Sequence, residues 1–493
     1  MKSRKWGIIV SYINTALTMV TGLYLSSFLL RVLGDTEYGV YQTVASFANY
    51  LVLLEFGTGS VITRNLSLCY SQGADKETIE RNVSTVWVIT CLLAVLIMGV
   101  SCVFYGALDK VYAHSMTTAQ IVYGKKILLA VTVSLILSFF QQTISGIALA
   151  KENYTFSANL NILKTALKVT ALTCILLKHR YSILIAVVDS VLAFSITLYS
   201  YVYCKKEYRI SFSFRKFDKQ VFKAALPLSL AIFIQAVVNQ ANSNVDKFVI
   251  GIKLNPESVA LYGIALFIYS VFSQLTTVPI TMYAPQTIKN VAAGFKGKEL
   301  IDTLIQPSKL IVLLGGCILF GFAAVGRQFI AIVYGSEYMQ AWTIALIIMT
   351  PMFINMANGV LINVLDAMNK RMVRSGVLLV TTLANIVLTV VWIDKFGMVG
   401  AALATAICTC VGQITLMNIY YSKKMHLPIL YMYKEVFKGI VPYQMLGTIA
   451  AMTVCTRISN VYASLFAGGI IFVMVVAVGC YYSGSLKGIK KHI

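Results

Sequence analysis

Fourteen long apolar runs recur along this 493-residue chain, and nothing else about the sequence restricts its fold so strongly. A bilayer's hydrocarbon core is crossed by roughly 20 residues of helix. Runs of that kind lie at about 7–33, 38–63, 83–106, 121–149, 155–177, 182–204, 223–250, 258–284, 306–330, 341–367, 372–393, 398–421, 438–456 and 461–482. Backbone polar groups in lipid must be satisfied internally, so each run reads as a helix. The expected fold class is an all-α polytopic membrane protein with about fourteen transmembrane helices. Only 12% of residues carry charge, against about one-quarter in soluble chains. That excludes an ordinary soluble enzyme, a disordered chain and a secreted disulfide scaffold. The connections are short, the longest being 107–120 and 205–222, which leaves no room for an appended catalytic domain.

The formal net charge is +22, from 41 Lys and Arg against 19 Asp and Glu. An even number of spans puts both termini on one side. Taking that side as cytoplasmic, 28 cations fall in inside segments, 10 in outside loops and three within spans. This is the bias that orients membrane proteins, so both termini are expected in the cytoplasm. The excess is then explained by topology and by contact with anionic membrane lipids, and no nucleic-acid partner is expected. Lys2, Arg4 and Lys5 before an apolar run resemble a signal peptide, but the run continues too far and a retained first helix is expected. The ten cysteines show no CxxC and the four histidines no ligand spacing, so buried free thiols are expected, with no metal and no cofactor.

The chain repeats internally. Phe28-Leu29-Leu30-Arg31-Val32-Leu33-Gly34 followed by Tyr38-Gly39 has a counterpart in Phe248-Val249-Ile250-Gly251-Ile252-Lys253-Leu254 followed by Tyr262-Gly263. Ala148 to Asn153 is echoed by Leu365 to Lys370. Two six-span halves in parallel are a transporter signature. The expected organisation is an N-terminal lobe over 1–222, a second lobe over 223–421, and two added helices with a basic tail over 422–493.

Polar residues inside the spans mark a cavity or a partner. In span seven Gln235, Asn239, Asn242 and Asp246 share one face, with Gln240, Asn244 and Lys247 adjoining. So polar a helix faces either water or interhelical hydrogen-bond partners, and a water-filled cavity is the favoured reading. Asn14, Thr18 and Thr21 form a weaker stripe in span one. Span five carries Lys164 and Lys168 one turn apart, too deep for both to reach the interface and without an acid at i±3 or i±4. They read as an anion site, the alternative being a pair with Asp189 of span six or Glu55 of span two. Arg64 and Arg31 either extend a basic path or anchor span ends. Glu55, Asp189, Asp246 and Asp366 are the candidates for coupling to H+ or Na+, with simple pairing or capping as the alternative. Pro279, Pro285 and Pro351 are expected to bend their helices, and Pro227 fits a first turn. Asp35-Thr36-Glu37 has the DxE form of metal-dependent glycosyltransferases but sits in a tight turn, and no P-loop is present, so no enzyme is expected.

Five segments, in order, are similar to a known family. Leu30-Arg31-x-Leu33-Gly34-x3-Tyr38-Gly39-x-Tyr41 and Glu55-Phe56-Gly57-x-Gly59-x4-Arg64 resemble the first loop and second helix of polysaccharide-transport flippases. Asp246-Lys247 with Tyr262-Gly263, Tyr334-Gly335-Ser336-Glu337-Tyr338-x2-Ala341 and Gly397 to Thr405 resemble later helices and turns of that family. The resemblance covers residues 7 to about 421. It implies the fold of the multidrug and oligosaccharidyl-lipid exporter superfamily, with two six-helix bundles around a central cavity. It also implies flipping of an undecaprenyl-pyrophosphate-linked oligosaccharide, such as an O-antigen or lipopolysaccharide repeat unit, across the bacterial cytoplasmic (inner) membrane, with glycan assembly proteins as possible partners. On that reading Lys164, Lys168, Lys247, Arg31 and Arg64 serve the pyrophosphate. Gln235, Asn239, Asn242, Asn355 and Asn358 serve the sugars.

Four alternatives stay open: a lipid II flippase, an ion-coupled multidrug exporter of the same superfamily, a polytopic polysaccharide polymerase or ligase, and a structural scaffold of the envelope, which would not need the polar face of span seven. An exporter of organic cations calls for an acidic cavity, whereas span five is basic. A polymerase calls for a large outside loop, which the chain lacks.

Overall fold

The computed structural model describes the backbone of residues 2–483 except 56, 152, 209–211, 213 and 369. The side chains of 2–16, 154, 155, 215, 278 and several positions within 225–244 also lie outside the described residues. All the regular elements described are helical. In chain order they are α1 (Lys2–Leu33), α2 (Asp35–Leu51), α3 (Thr58–Ser71), α4 (Lys76–Val111), α5 (Thr118–Ala150), α6 (Tyr154–Leu176), α7 (Ile183–Glu207), α8 (Lys219–Lys253) and α9 (Pro256–Ala292). There follow α10 (Gly297–Val333), α11 (Gln340–Ala357), α12 (Gly359–Ala367), α13 (Arg371–Cys408), α14 (Met417–Lys424), α15 (Ile429–Phe437), α16 (Val441–Cys455) and α17 (Val461–Tyr482). Each apolar run of the sequence falls on one of these helices or on a consecutive pair. Among the described residues nine helices are long and apolar enough to cross a membrane, two adjoining helices counting as one where they run on.

The helices start where the sequence supplies a capping side chain. The carboxylate of Asp75 accepts from the Thr78 amide at 3.4 Å, and the Thr78 hydroxyl first, then that amide, hold its pKa below the usual carboxylate value. Thr117 and Gln120 form a reciprocal capping box at α5, Asn153 caps α6, and Asp218 caps α8 at 2.7 Å from Gln220 N. Each satisfies amides that a helix start leaves without partners.

Side-chain contacts fix the direction of neighbouring helices. Thr90 meets Thr143, Thr132 meets Ser101, and Lys125 meets Asp109, so α4 and α5 run antiparallel. Tyr123 meets Ile183, Ser190 meets Ala130, and Thr197 meets Leu137, each pair 60 residues apart, so α5 and α7 run parallel. Those directions are the ones required of spans three to six. Near its middle α13 breaks at Gly397, whose φ of 58° is left-handed and suits glycine. Asn385 then bonds Thr405 at 3.2 Å across the break, so spans eleven and twelve form a hairpin. Neither Pro279 nor Pro285 interrupts α9, and Pro351 lies inside α11.

The chain forms two compact units, Met1–Ala260 and Leu261–Ile493. Their limits differ from those expected from the basic loop at 205–222. α8 belongs to the first unit, where Phe248 meets Tyr50 of α2 edge-on at 5.8 Å and the backbone at Gly39 closes on Pro256. α16 and α17 belong to the second unit, where α16 packs on α10: Gln444 donates to Leu313 O at 3.1 Å and Thr448 to Phe320 O at 3.1 Å. Buried polar side chains bonded to neighbouring backbone hold helices together where lipid supplies no hydrophobic drive.

Candidate substrate-facing cavities

Span two is not one helix. After Leu51 the chain tightens into a 3₁₀ turn, Val52–Glu55, and passes Gly57 in a left-handed conformation (φ 67°) before α3 begins. The break places a helix N-terminus inside the apolar lobe, where free amides need an acceptor. Glu55 lies there, its carboxylate close enough to the Gly59 amide and to Gln142 of α5 to interact with both. A second contact locks the geometry. Thr63 donates to Gly59 O at 2.7 Å and to Gly146 O at 3.0 Å, and a Cβ on Gly146 would strike Gly59 O and Ile62. Next to it Thr58, Thr143 and Thr90 form a buried hydroxyl chain at 3.2 and 2.9 Å.

Beside this break lies a cavity of about 840 Å³, lined by α3, α5, α6 and α8. Its polar lining includes Glu55, Ser60, Arg64, Gln142, Ser157 and Gln240. Amides and hydroxyls both donate and accept, which suits a ligand rich in hydroxyl groups. Glu55 and Arg64 are the charged lining residues, one of each sign.

The span-five lysines do not form the pair of free cations expected. Lys168 Nζ lies 2.8 Å from Asp189 of α7, so that ammonium is paired. The side chains are 30% and 20% exposed, and leaving either alone in so apolar a setting would cost more than the bond gains in water. Lys164, one turn away, lies within electrostatic reach of both. The cluster therefore carries a net single positive charge, and Asp189 is held as a counter-ion. Lys164 and Lys168 are not among the residues lining the 840 Å³ cavity.

The remaining expectations separate by position. Arg31 is exposed at the end of α1. Arg64 is exposed as well but opens onto the cavity. Lys247 is half-buried, and Asp246 is buried close enough to Tyr50 to interact with it. Gln235, Asn239 and Asn242 lie outside the described side chains, as do Asn14, Asn244 and Pro227. Thr21 of the span-one stripe donates to Leu17 O at 2.6 Å. Asn355, Asn358 and Asp366 come together in the second unit, at a cavity of about 400 Å³. Asp366 also lies 3.4 Å from Arg371. The Asp35-Thr36-Glu37 turn caps and ties: Glu37 accepts from Ser182 N at 3.0 Å, and Thr36 donates to Glu257 at 2.6 Å. Among the described residues no group of His, Cys, Asp and Glu could hold a metal ion. Sequence reasoning missed the break in span two, although Glu55-Phe56-Gly57-x-Gly59 carries its signal.

Comparison with known proteins agrees with this architecture. Over 210 residues the chain is 25% identical to the probable low-salt glycan biosynthesis flippase Agl15 of Haloferax volcanii, a match covering 42% of this chain and 43% of that protein. The chain thus spans under half the length of that relative. Among solved structures it superposes on the lipid II flippase MurJ in an inward closed conformation with a TM-score of 0.74 at 17% identity, covering 98% of this chain and 99% of that one. An inward-facing multidrug resistance MATE transporter of the MOP superfamily gives 0.63 at 14% identity, over 85% and 99%. At these identities the structures show the fold alone. The family described as polysaccharide biosynthesis protein matches residues 4–288, and the chain belongs to that family.

Proposed function

We propose that this protein is a flippase that moves a lipid-linked oligosaccharide across a membrane. In the finer reading the carrier is undecaprenyl pyrophosphate and the membrane is the bacterial cytoplasmic membrane, with both termini inside. The observation that carries the proposal is the 840 Å³ cavity, a largely apolar chamber that also presents amide and hydroxyl side chains and one charge of each sign. Sugar hydroxyls need donors and acceptors in both senses, and Gln142, Gln240, Ser60 and Ser157 supply them. Arg64 at the cavity and the singly positive Lys164–Lys168–Asp189 cluster serve the phosphates. The pairing of Lys168 weakens the original reading of span five, so Arg64 takes the larger share. Family membership and the glycan flippase relative support the same cargo.

An exporter of organic cations would be served by a chamber with surplus negative charge, and Glu55 is here balanced by Arg64. Glu55, set at the helix break on the wall of the larger cavity, is the carboxylate we assign to ion coupling ahead of Asp189, Asp246 and Asp366. The decisive experiment reconstitutes the protein in liposomes with a fluorescent lipid-linked oligosaccharide and follows its accessibility on the opposite leaflet. Flipping that depends on the protein and falls about tenfold in Arg64→Gln is expected, the loss of one charge-assisted contact. Equal rates with and without protein would overturn the assignment.

A further inference from the structure

The 400 Å³ cavity of the second unit has an unusual surplus of unmet bonding capacity. It is walled by α9, α11, α12, the start of α13, the helical segment through Gln413 and α14. Among the described residues, three buried polar atoms on its wall have no hydrogen-bond partner: Asn358 Oδ1, Asp366 Oδ1 and Gln413 Nε2. Buried polar atoms are nearly always paired, so three converging on one space point to a ligand. Arg371 reaches Asp366 Oδ2 at 3.4 Å, leaving Oδ1 open. Arg374, one turn on, is half-buried at the same wall, and among the described residues no ion pair or hydrogen bond holds it.

The walls are rigid. Asn358 donates to Asn418 at 2.9 Å and to Tyr433 at 2.7 Å, while Asn418 donates to Tyr433 at 3.0 Å. Turning the Asn358 amide over would put its nitrogen where the oxygen is, so a polar atom faces the cavity in either orientation. Asn363 anchors the floor by donating to Ile280 O at 2.9 Å.

We propose that this cavity binds a phosphate group carrying hydroxyls, as in a glycerol phosphate or a sugar phosphate. The two arginines and Gln413 present donors, which a phosphate meets. Asn358 Oδ1 and Asp366 Oδ1 present acceptors, which hydroxyls meet. A bare phosphate would leave the acceptors unmet, and a neutral sugar would leave two arginines, Arg371 and Arg374, sharing the single carboxylate of Asp366 on this wall. Pockets of this size hold small ligands or headgroups. The turn at 366–374 lies on the face that the charge bias assigns to the cytoplasm, so the phosphate comes either from a lipid headgroup in that leaflet or from a soluble metabolite. The inference does not depend on the flippase reading.

Two arms distinguish the sources. In the first, the full chain in phosphatidylcholine nanodiscs doped with phosphatidylglycerol is released for native mass spectrometry. In the second, protein in phosphatidylcholine alone is titrated with glycerol 3-phosphate and glucose 1-phosphate while its melting is followed. Retention of phosphatidylglycerol over phosphatidylcholine assigns the lipid headgroup; stabilisation by a soluble phosphate assigns the metabolite. In either case Arg374→Gln should weaken binding about tenfold, as loss of a charge-assisted fork does, and Gln413→Leu should weaken it less. Without ligand, Arg374→Met should melt no lower than the parent, because the residue it replaces is an unpaired, half-buried cation. A purely structural arginine would instead melt lower and bind unchanged. No preference for phosphatidylglycerol together with no response to either soluble phosphate would overturn the proposal, as would binding unaltered in both Arg374→Gln and Gln413→Leu.

Discussion

The two cavities divide the bonding of their charged residues differently. Around the larger one, Glu55 faces the Gly59 amide and Gln142, and among the described residues a single lining atom, Gln240 Nε2, is buried without a partner. Around the smaller one, among the described residues, Arg374 makes no hydrogen bond or close ion pair and three polar atoms are unmet. A site whose groups already bond each other is rigid when empty and exchanges ligand with little cost. A site with orphaned groups is under pressure to be filled, because each unmet buried atom costs about 1–3 kcal/mol. The first suits a cargo that must leave; the second suits a ligand that stays.

That contrast is open to attack by substitution. The largest expected effect is at Gly146→Val, which drives a side chain into Gly59 O and Ile62 and forces α3 from α5. Overpacking of this kind costs about 3 kcal/mol, and thermal unfolding in detergent should show a marked fall in melting temperature. If melting is unchanged, the larger cavity is not held by the α3–α5 contact. Next comes Asp189→Asn, which strands the Lys168 ammonium. Discounted for the partial exposure of both groups, the loss is about 2 kcal/mol, below the range for a fully buried pair. The double variant Asp189→Asn with Lys168→Met should recover most of it. A double-mutant cycle with no coupling between the two would remove the claim that this cluster is self-satisfied.

Glu55→Gln should leave stability within about 1 kcal/mol, since an amide still accepts from Gly59 and Gln142. Its transport should lose dependence on an imposed proton or sodium gradient. Retained gradient dependence in liposomes would pass the coupling role to another carboxylate. The smallest effect is expected at Thr117→Ala, far from both cavities, where loss of the capping box at α5 should cost about 1 kcal/mol and leave transport untouched.

Hydropathy makes the spans legible, because lipid demands long apolar helices and turns concentrate charge, and the alternation of spans along the chain gives the relative directions seen for α4, α5 and α7. Gly397 was readable as a turn for the same reason, lying between two apolar runs beside Asp394 and Lys395. The break at Glu55 to Thr58 was not, since a fold in the middle of an apolar run changes no average; only the two glycines betray it. Lys168 with Asp189 was readable as one of two options, since which helices adjoin is a tertiary matter. Arg371 and Arg374 looked like orientation charges, and nothing in one dimension shows that α14 and the Gln413 segment close over them. Limits of the two units also escaped the sequence, because α8 sits beside α2 by packing rather than by chain order.

The left-handed joint at Gly57 has a mechanical corollary. A straight rod has one axis to lean by, whereas a rod bent at a pinned elbow has two, set at a fixed angle. Because the clasp between Thr63 and Gly146 pins that elbow, a push on the α3 half of span two is handed to α5 rather than spent in the joint.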